Sequence, residues 1–270
     1  MKYSPRHSDL FDRFSIITAI LVILFIFAAM LTIIMKGLPF LGRVFQSKEI
    51  IFAIRLSLFT ASISTLLCLV LAIPVSYALT KTSMPLKNIF VMIIEMPLSL
   101  PYLVLGLSLL LLFSSNFGKF LSENGIQIVF SKNGIILAHT IVNLPFVIRI
   151  IKIGLQEVDT HLENVARMLG ATKWKCFITI TLPLAKSTIL GALILAWSRA
   201  LGEFGATLML AGVTRMKTET LPASIYLNMA TGDIGAAMSS ALILLIISIF
   251  SQSVFHLLNG RKQVYNKYND

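Results

Sequence analysis

Only 13% of this 270-residue chain is charged, and acidic residues are the scarcer kind, 12 against 23 lysines and arginines. Soluble domains carry about 25% charged residues. A surface this poor in charge is not made for water, so lipid is the expected solvent. Cysteine is nearly missing: Cys68 lies inside an apolar run and Cys176 in a polar stretch. Two thiols in such different settings argue against a disulfide, and more strongly against a metal pair. The four histidines, His7, His139, His161 and His256, are scattered, and none forms a ligand motif such as HExxH. No P-loop, no GxSxG and no kinase-type glycine loop is present, so the chain has no recognisable way to bind and hydrolyse a nucleotide. Nor does it carry an arginine-rich or aromatic-interleaved stretch suited to nucleic acid, an internal repeat, a low-complexity tract or a soluble domain.

What the chain does have is oil. It is 56% hydrophobic, and its first apolar run, Phe14–Met35, has no charge over 22 residues. At 1.5 Å per residue that run is roughly 33 Å long, enough for the hydrocarbon core of a bilayer. A signal peptide has a shorter apolar region and a small-residue cleavage site, so a retained helix is expected. Six spans follow from the runs, at about 14–35, 52–80, 89–113, 135–155, 184–212 and 235–258. The expectation is an all-α integral membrane protein, a single transmembrane domain over 1–270. Pro74 is expected to break the second span late, and Pro145 lies in the fourth. "MPLSLPYLVLGL" gathers Pro97, Pro101 and Gly106 in the third, which invites a kink or a broken helix.

The net charge of +11 falls mostly between the runs, where it serves topology and anionic head groups. Six spans put both termini on one side. That side carries Lys2, Arg6 and Arg13, Lys81 and Lys87, the basic residues of the central segment and its edges, and Arg261, Lys262 and Lys267. It holds about twice the basic charge of the other side, so both tails and the central segment are expected in the cytoplasm.

That central segment, "LENVARMLGATKWKCFITITLPLAK" (Leu162–Lys186), interrupts the oil with charge. A short helix is expected over about 160–170. Thr160-x-x-Glu163 matches a capping box. Leu162, Val165, Ala166 and Leu169 share a face by i, i+3, i+4, i+7 spacing. Gly170 sits where a left-handed helix end is wanted, and Pro183 at the start of the next span. On the residues alone two readings stay open. The stripe rests on lipid with Glu163 as a mere cap, or it enters a protein groove, which the small Ala166 suits better.

The run Glu163-Asn164-Val165-Ala166-xxx-Gly170, followed by Ile180-x-Leu182-Pro183, resembles the "EAA…G…I-x-L-P" loop of permease subunits in binding-protein-dependent ABC importers. Asn164 departs from the usual Ala. The resemblance covers most of the chain from the second span onward. It implies a type I ABC importer permease fold, in which this loop is a coupling helix docked in a groove of an ATPase subunit. Glu163, Val165, Ala166, Leu169, Gly170 and Pro183 are then the coupling residues.

Further on, "SRALGEFGATLMLAG" (Ser198–Gly212) places Arg199 and Glu203 at i, i+4, facing the same way, so they can pair. A charge at a helix centre costs about 2.5–3.5 kcal/mol on insertion scales, so an inward-facing, paired arrangement is expected. Such a pair is either a packing device or part of a gate. Gly191, Ala192, Ala196, Ala200, Gly202 and Ala206 offer small faces for close helix contact. The RxLGEFGAT stretch resembles permeases for molybdate, tungstate and sulfate. "MPLSLPYLVLGL" resembles their "LPxVLPPxVxGL" segment, with Ser99 and Tyr102 departing, and Thr218–Ala237 resembles their last outer loop. The resemblance favours molybdate or tungstate, with sulfate/thiosulfate as the alternative. It implies a homodimer, two ATP-binding subunits that hold ATP and Mg, an external oxyanion-binding protein, and no cofactor or catalytic residue in this chain. The third and fifth spans are expected to line the path through Ser99, Pro101, Gly106, Ser198, Arg199, Glu203 and Thr207. Two rivals are a stand-alone secondary anion transporter and an intramembrane enzyme using Ser198 and His139. The capped central helix argues against the first, and the lack of a partner motif against the second.

Overall fold

A computed structural model describes residues 10–44 and 46–267; Lys2, Arg6 and His7 lie outside them. Among the described residues the chain is helical and has no strand. Helix α1 (Leu10–Gly37) stands apart: its apolar side chains are exposed along nearly its whole length, as expected of a lipid-facing span. It closes on the rest of the molecule only at its end. There a Cβ on Gly37 would lie 2.8 Å from the Met238 carbonyl oxygen and 2.9 Å from Leu242 Cβ. Two short turns (Leu38–Phe40 and Leu41–Val44) lead to α2 (Lys48–Lys81), whose first turn is capped by Ser47 accepting from the Ile50 N–H at 3.3 Å.

Helix α2 does not break at Pro74 as the sequence suggested; it runs through to Lys81. A proline inside a spanning helix is tolerated where neighbouring helices support the freed backbone. Close support is available here, because α2 buries Ala61, Ser64, Cys68, Ala72 and Ser76. Small residues bring backbones together, and Ser76 Oγ donates to the Ile148 carbonyl at 3.1 Å.

The third span is broken, as expected. Helix α3 (Lys87–Glu95) passes through a tight turn (Met96–Ser99), and α4 (Tyr102–Ser114) leaves at 111° to it. The proline at 101 forces Leu100 into an extended conformation, ψ 142°, and so ends the turn. The Pro101 carbonyl then accepts from the Val104 and Leu105 N–H groups and starts α4. Helix α5 (Asn116–Glu123) is a short cap, and α6 (Lys132–Gln156) is the fourth span, with Pro145 inside it. Helix α7 (Thr160–Met168) is the helix expected in the central segment.

The fifth span differs from expectation at both ends. Helix α8 (Lys173–Gly202) begins ahead of Pro183 and carries it inside, just after a π-helical turn at Phe177–Thr181. Pro183 has no N–H to offer the carbonyl four residues back, and the wider turn takes up the mismatch. At the other end the helix stops at Gly202 rather than running to 212. Glu203 is extended (ψ 128°), and a separate helix α9 (Gly205–Ala211) follows. Helices α10 (Leu221–Ala230) and α11 (Ile234–Lys267) complete the chain. Among the described residues five helices are long and apolar enough to cross a membrane, or six spans if the bent α3–α4 pair counts as one.

The main core lies between α2, α6 and α8, where Val147, Ile148, Ile151, Leu155, Ala185, Ile189 and Ala192 meet. A second cluster joins α4, α6 and α9 through Leu105, Leu109, Ala138, Val142, Ala206 and Leu210.

Candidate functional site

Two places where charge is expensive gather the residues expected to form the site. The first is the root of α7. Its N-cap is Asp159, whose carboxylate accepts from the His161 N–H at 2.8 Å. The Thr160–Glu163 capping box is therefore not formed, because the helix starts one residue earlier than the motif assumes. Glu163 is instead turned toward the membrane helices. Its Oε1 accepts from Thr181 Oγ1 at 2.6 Å and pairs with Lys81 Nζ at 3.1 Å. Lys81 also donates to the Val158 carbonyl at 3.4 Å. The pair is well shielded, the two side chains being 9% and 16% exposed. One carboxylate thus ties α7 to the end of α2 and to the π-helical turn at the foot of α8.

The other end of α7 is closed by Gly170 at φ +88°, in the left-handed region as expected. The Ala171 N–H donates to the Ala166 carbonyl and the Gly170 N–H to that of Arg167, the paired closure that satisfies a helix C-terminus. Leu162 (46%), Val165 (42%) and Leu169 (84%) are exposed, Ala166 is half-buried, and Pro183 is exposed on α8. Helix α7 therefore offers an apolar face outward, held at a fixed angle by charge behind it.

The second place is the α3–α4 bend. Arg199 and Glu203 do not form the i, i+4 pair expected of a continuous helix, because α8 ends between them. Glu203 is buried and its Oε1 accepts from the Ala206 N–H at 2.6 Å, which caps α9. Arg199, an exposed residue, is held by neutral groups: Nε donates to Asn143 Oδ1 at 3.2 Å, and Nη2 to the Tyr102 hydroxyl at 2.6 Å. Its guanidinium also lies over the Phe146 ring at 4.7 Å. Ser99 and Pro101 are exposed at the bend, and Ser198 is half-buried beside Arg199. Gly106 and Thr207 are buried between α4 and α9. A Cβ on Gly106 would lie 2.7 Å from the Ala206 Cα and carbonyl oxygen, so that glycine permits a backbone contact. The sequence reading missed Tyr102 and Asn143 as site residues. The signal for Asn143 was a polar side chain in mid-span; Tyr102 stood out only as a departure from the family pattern. Among the described residues no three His, Cys, Asp or Glu side chains gather as a metal site would need.

Residues 72–264 match the family described as "Binding-protein-dependent transport system inner membrane component". That is more than half of the chain. The chain belongs to this family. It is 34% identical over 250 residues to the probable transport system permease protein NifC of Clostridium pasteurianum, covering 92% of this chain and 87% of that one. It is 37% identical over 217 residues to the molybdenum transport system permease protein ModB of Haemophilus influenzae (78% and 94%). With the sulfate transport system permease protein CysW of Synechococcus elongatus it shares 34% over 211 residues (77% and 74%). Its fold is that of a chain in a bacterial alginate ABC transporter crystallised with an alginate-bound periplasmic protein, at TM-score 0.77, covering 95% of this chain and 96% of that one with 18% identity. The permease is thus an ABC importer subunit of the inner membrane, a transporter component rather than an enzyme, with the type I permease fold.

Proposed function

We propose that the permease carries molybdate or tungstate into the cell, pairs with a second copy of itself, and is driven by two ATPase subunits that grip α7. The observation that carries the reading is the build of α7: a capped helix with an exposed apolar face, fastened through Glu163 to two spans. A lipid anchor has no need of such fastening. A handle that must pass force to α2 and α8 does. In this reading Val165, Ala166 and Leu169 meet the ATPase, Gly170 fixes the exit of the chain, and Pro183 with the π-helical turn sets how α8 follows.

Both termini and α7 are cytoplasmic in this arrangement, as the distribution of lysine and arginine favours. An external binding protein delivers the oxyanion to the opposite face. The path runs past the α3–α4 bend, lined by Ser99, Pro101, Ser198 and Arg199; Gly106, Glu203 and Thr207 shape it from behind by holding α9 against α4. Import needs a motor because a dianion entering a negative-inside cell works against about 2.3 kcal/mol per charge per 100 mV, roughly 4.6 kcal/mol for two charges at 100 mV before any concentration gradient.

The similarity to ModB supports molybdate. The similarity to CysW keeps sulfate as a second reading. Identifying the anion held by the partner binding protein separates the two. Copurification tests the rest: the tagged permease should bring down an ATP-hydrolysing subunit, and ATP-independent uptake by the permease alone would favour a secondary transporter instead.

A further inference from the structure

We infer that Arg199 and Tyr102 form a two-donor contact for the transported oxyanion, with Asn143 as the residue that positions the guanidinium. This rests on the oxyanion-importer reading and adds to it which atoms meet the cargo and why.

Arg199 has no carboxylate at ion-pair distance among the described residues, and Glu203 acts on it only at longer range. A guanidinium at membrane depth ordinarily acquires a carboxylate. Glu203, four residues on, is occupied with the Ala206 N–H. The partners of Arg199 are an amide oxygen, a phenol and the Phe146 ring, all neutral. They fix its direction without forming an ion pair, and Glu203 offsets its charge only from a distance. Asn143 stands near the middle of the 25-residue α6, so the charge it orients is level with the middle of that span. A dianion crossing there meets its largest desolvation cost, and a cation without an ion-pair partner offsets that cost most strongly where the dielectric is low.

The donor inventory points the same way. Nη1 of Arg199 has no protein partner among the described residues. The Tyr102 oxygen accepts from Nη2, which leaves its own proton free to donate. The acceptor in the group, Asn143 Oδ1, is already engaged by Nε, and Asn143 Nδ2 donates to the His139 carbonyl at 2.9 Å. The site therefore offers donors and few free acceptors. It fits a fully deprotonated tetrahedral dianion, which only accepts, better than an oxyanion that keeps a proton and needs an acceptor for it.

The test uses the whole importer, with its ATPase and binding-protein partners, in proteoliposomes. Labelled molybdate uptake is measured per ATP hydrolysed. Arg199→Gln should lower that ratio about a hundredfold, with Arg199→Lys recovering part of it, and Tyr102→Phe should lower it about tenfold. Asn143→Asp is the sharpest variant. It keeps side-chain volume but gives Arg199 the ion-pair partner it lacks, so uptake per ATP should fall as far as in Arg199→Gln. A merely structural role predicts the reverse, since an ion pair would hold the helices at least as well. Wild-type ratios in Tyr102→Phe and Asn143→Asp would overturn the inference, as would a Tyr102→Phe at wild-type level beside an Arg199→Gln that does not assemble. Failure of the parent reading looks different: the unmutated importer then moves no molybdate or sulfate, whatever the variants do.

Discussion

Glu163 and Arg199 are both charged groups placed against a membrane helix set, and the fold treats them in opposite ways. Glu163, at the membrane edge, receives a lysine and a threonine hydroxyl, and its charge is cancelled within 3.1 Å. Arg199, in the last turn of α8 and level with the middle of α6, receives only neutral hydrogen-bond partners although a glutamate follows it by four residues. A cancelled pair is a mechanical joint, because it resists separation and attracts nothing else. A charge without an ion-pair partner is an open valence, stable only if something completes it. The difference separates the part of the permease that transmits force from the part that meets cargo.

That contrast can be attacked from either side. The largest effect is expected at the joint's far end. Gly170→Asp puts a side chain at φ +88°, where non-glycine residues are strained, and adds a negative charge to the docking face; binding-protein-stimulated ATP hydrolysis should be abolished. Glu163→Ala should come next, leaving Lys81 shielded and unpaired. Breaking a buried pair from one side costs about 3–5 kcal/mol, and this partly exposed pair should fall below that. Uptake should collapse, and the swap Lys81→Glu with Glu163→Lys should restore much of it. Gly106→Val forces α4 off the backbone of α9 and should destabilise the permease by about 1–3 kcal/mol, seen as a lower Tm in detergent. Glu203→Gln should do least, a few-fold at most in uptake, because glutamine keeps an acceptor for the Ala206 N–H. A large loss there would revive an Arg199–Glu203 ion pair and blur the contrast.

The sequence made the spans legible because a bilayer imposes one strong rule, an apolar run of sufficient length, and the α3–α4 break because Pro97 and Pro101 punctuate it. It made α7 legible through a stripe, a glycine and a motif. The failures share a cause. The Glu163 cap and the Arg199–Glu203 pair were both inferred from local spacing; Asp159 took the cap, the end of α8 at Gly202 parted the pair, and groups far away in the chain claimed the side chains left over. Lys81 and Thr181 claim Glu163, while Tyr102 and Asn143 hold Arg199. Local spacing also assumes the helix continues, and Gly202 and Gly205 around Glu203 were the warning that it does not. Pro74 failed the other way: a local helix breaker was overridden by close packing of small residues between α2 and α6.

The central claim is that α7 is gripped by a separate nucleotide-hydrolysing subunit. Its most direct test is a single cysteine, Leu169→Cys, on the most exposed part of the docking face; the native Cys68 and Cys176 are buried and leave the new thiol to react alone. In membranes holding the whole importer, a short bifunctional crosslinker should join that cysteine to the ATPase subunit, with a yield that changes on ATP binding. A thiol that never crosslinks to that subunit, and is reached only by lipid-soluble reagents, would contradict the account.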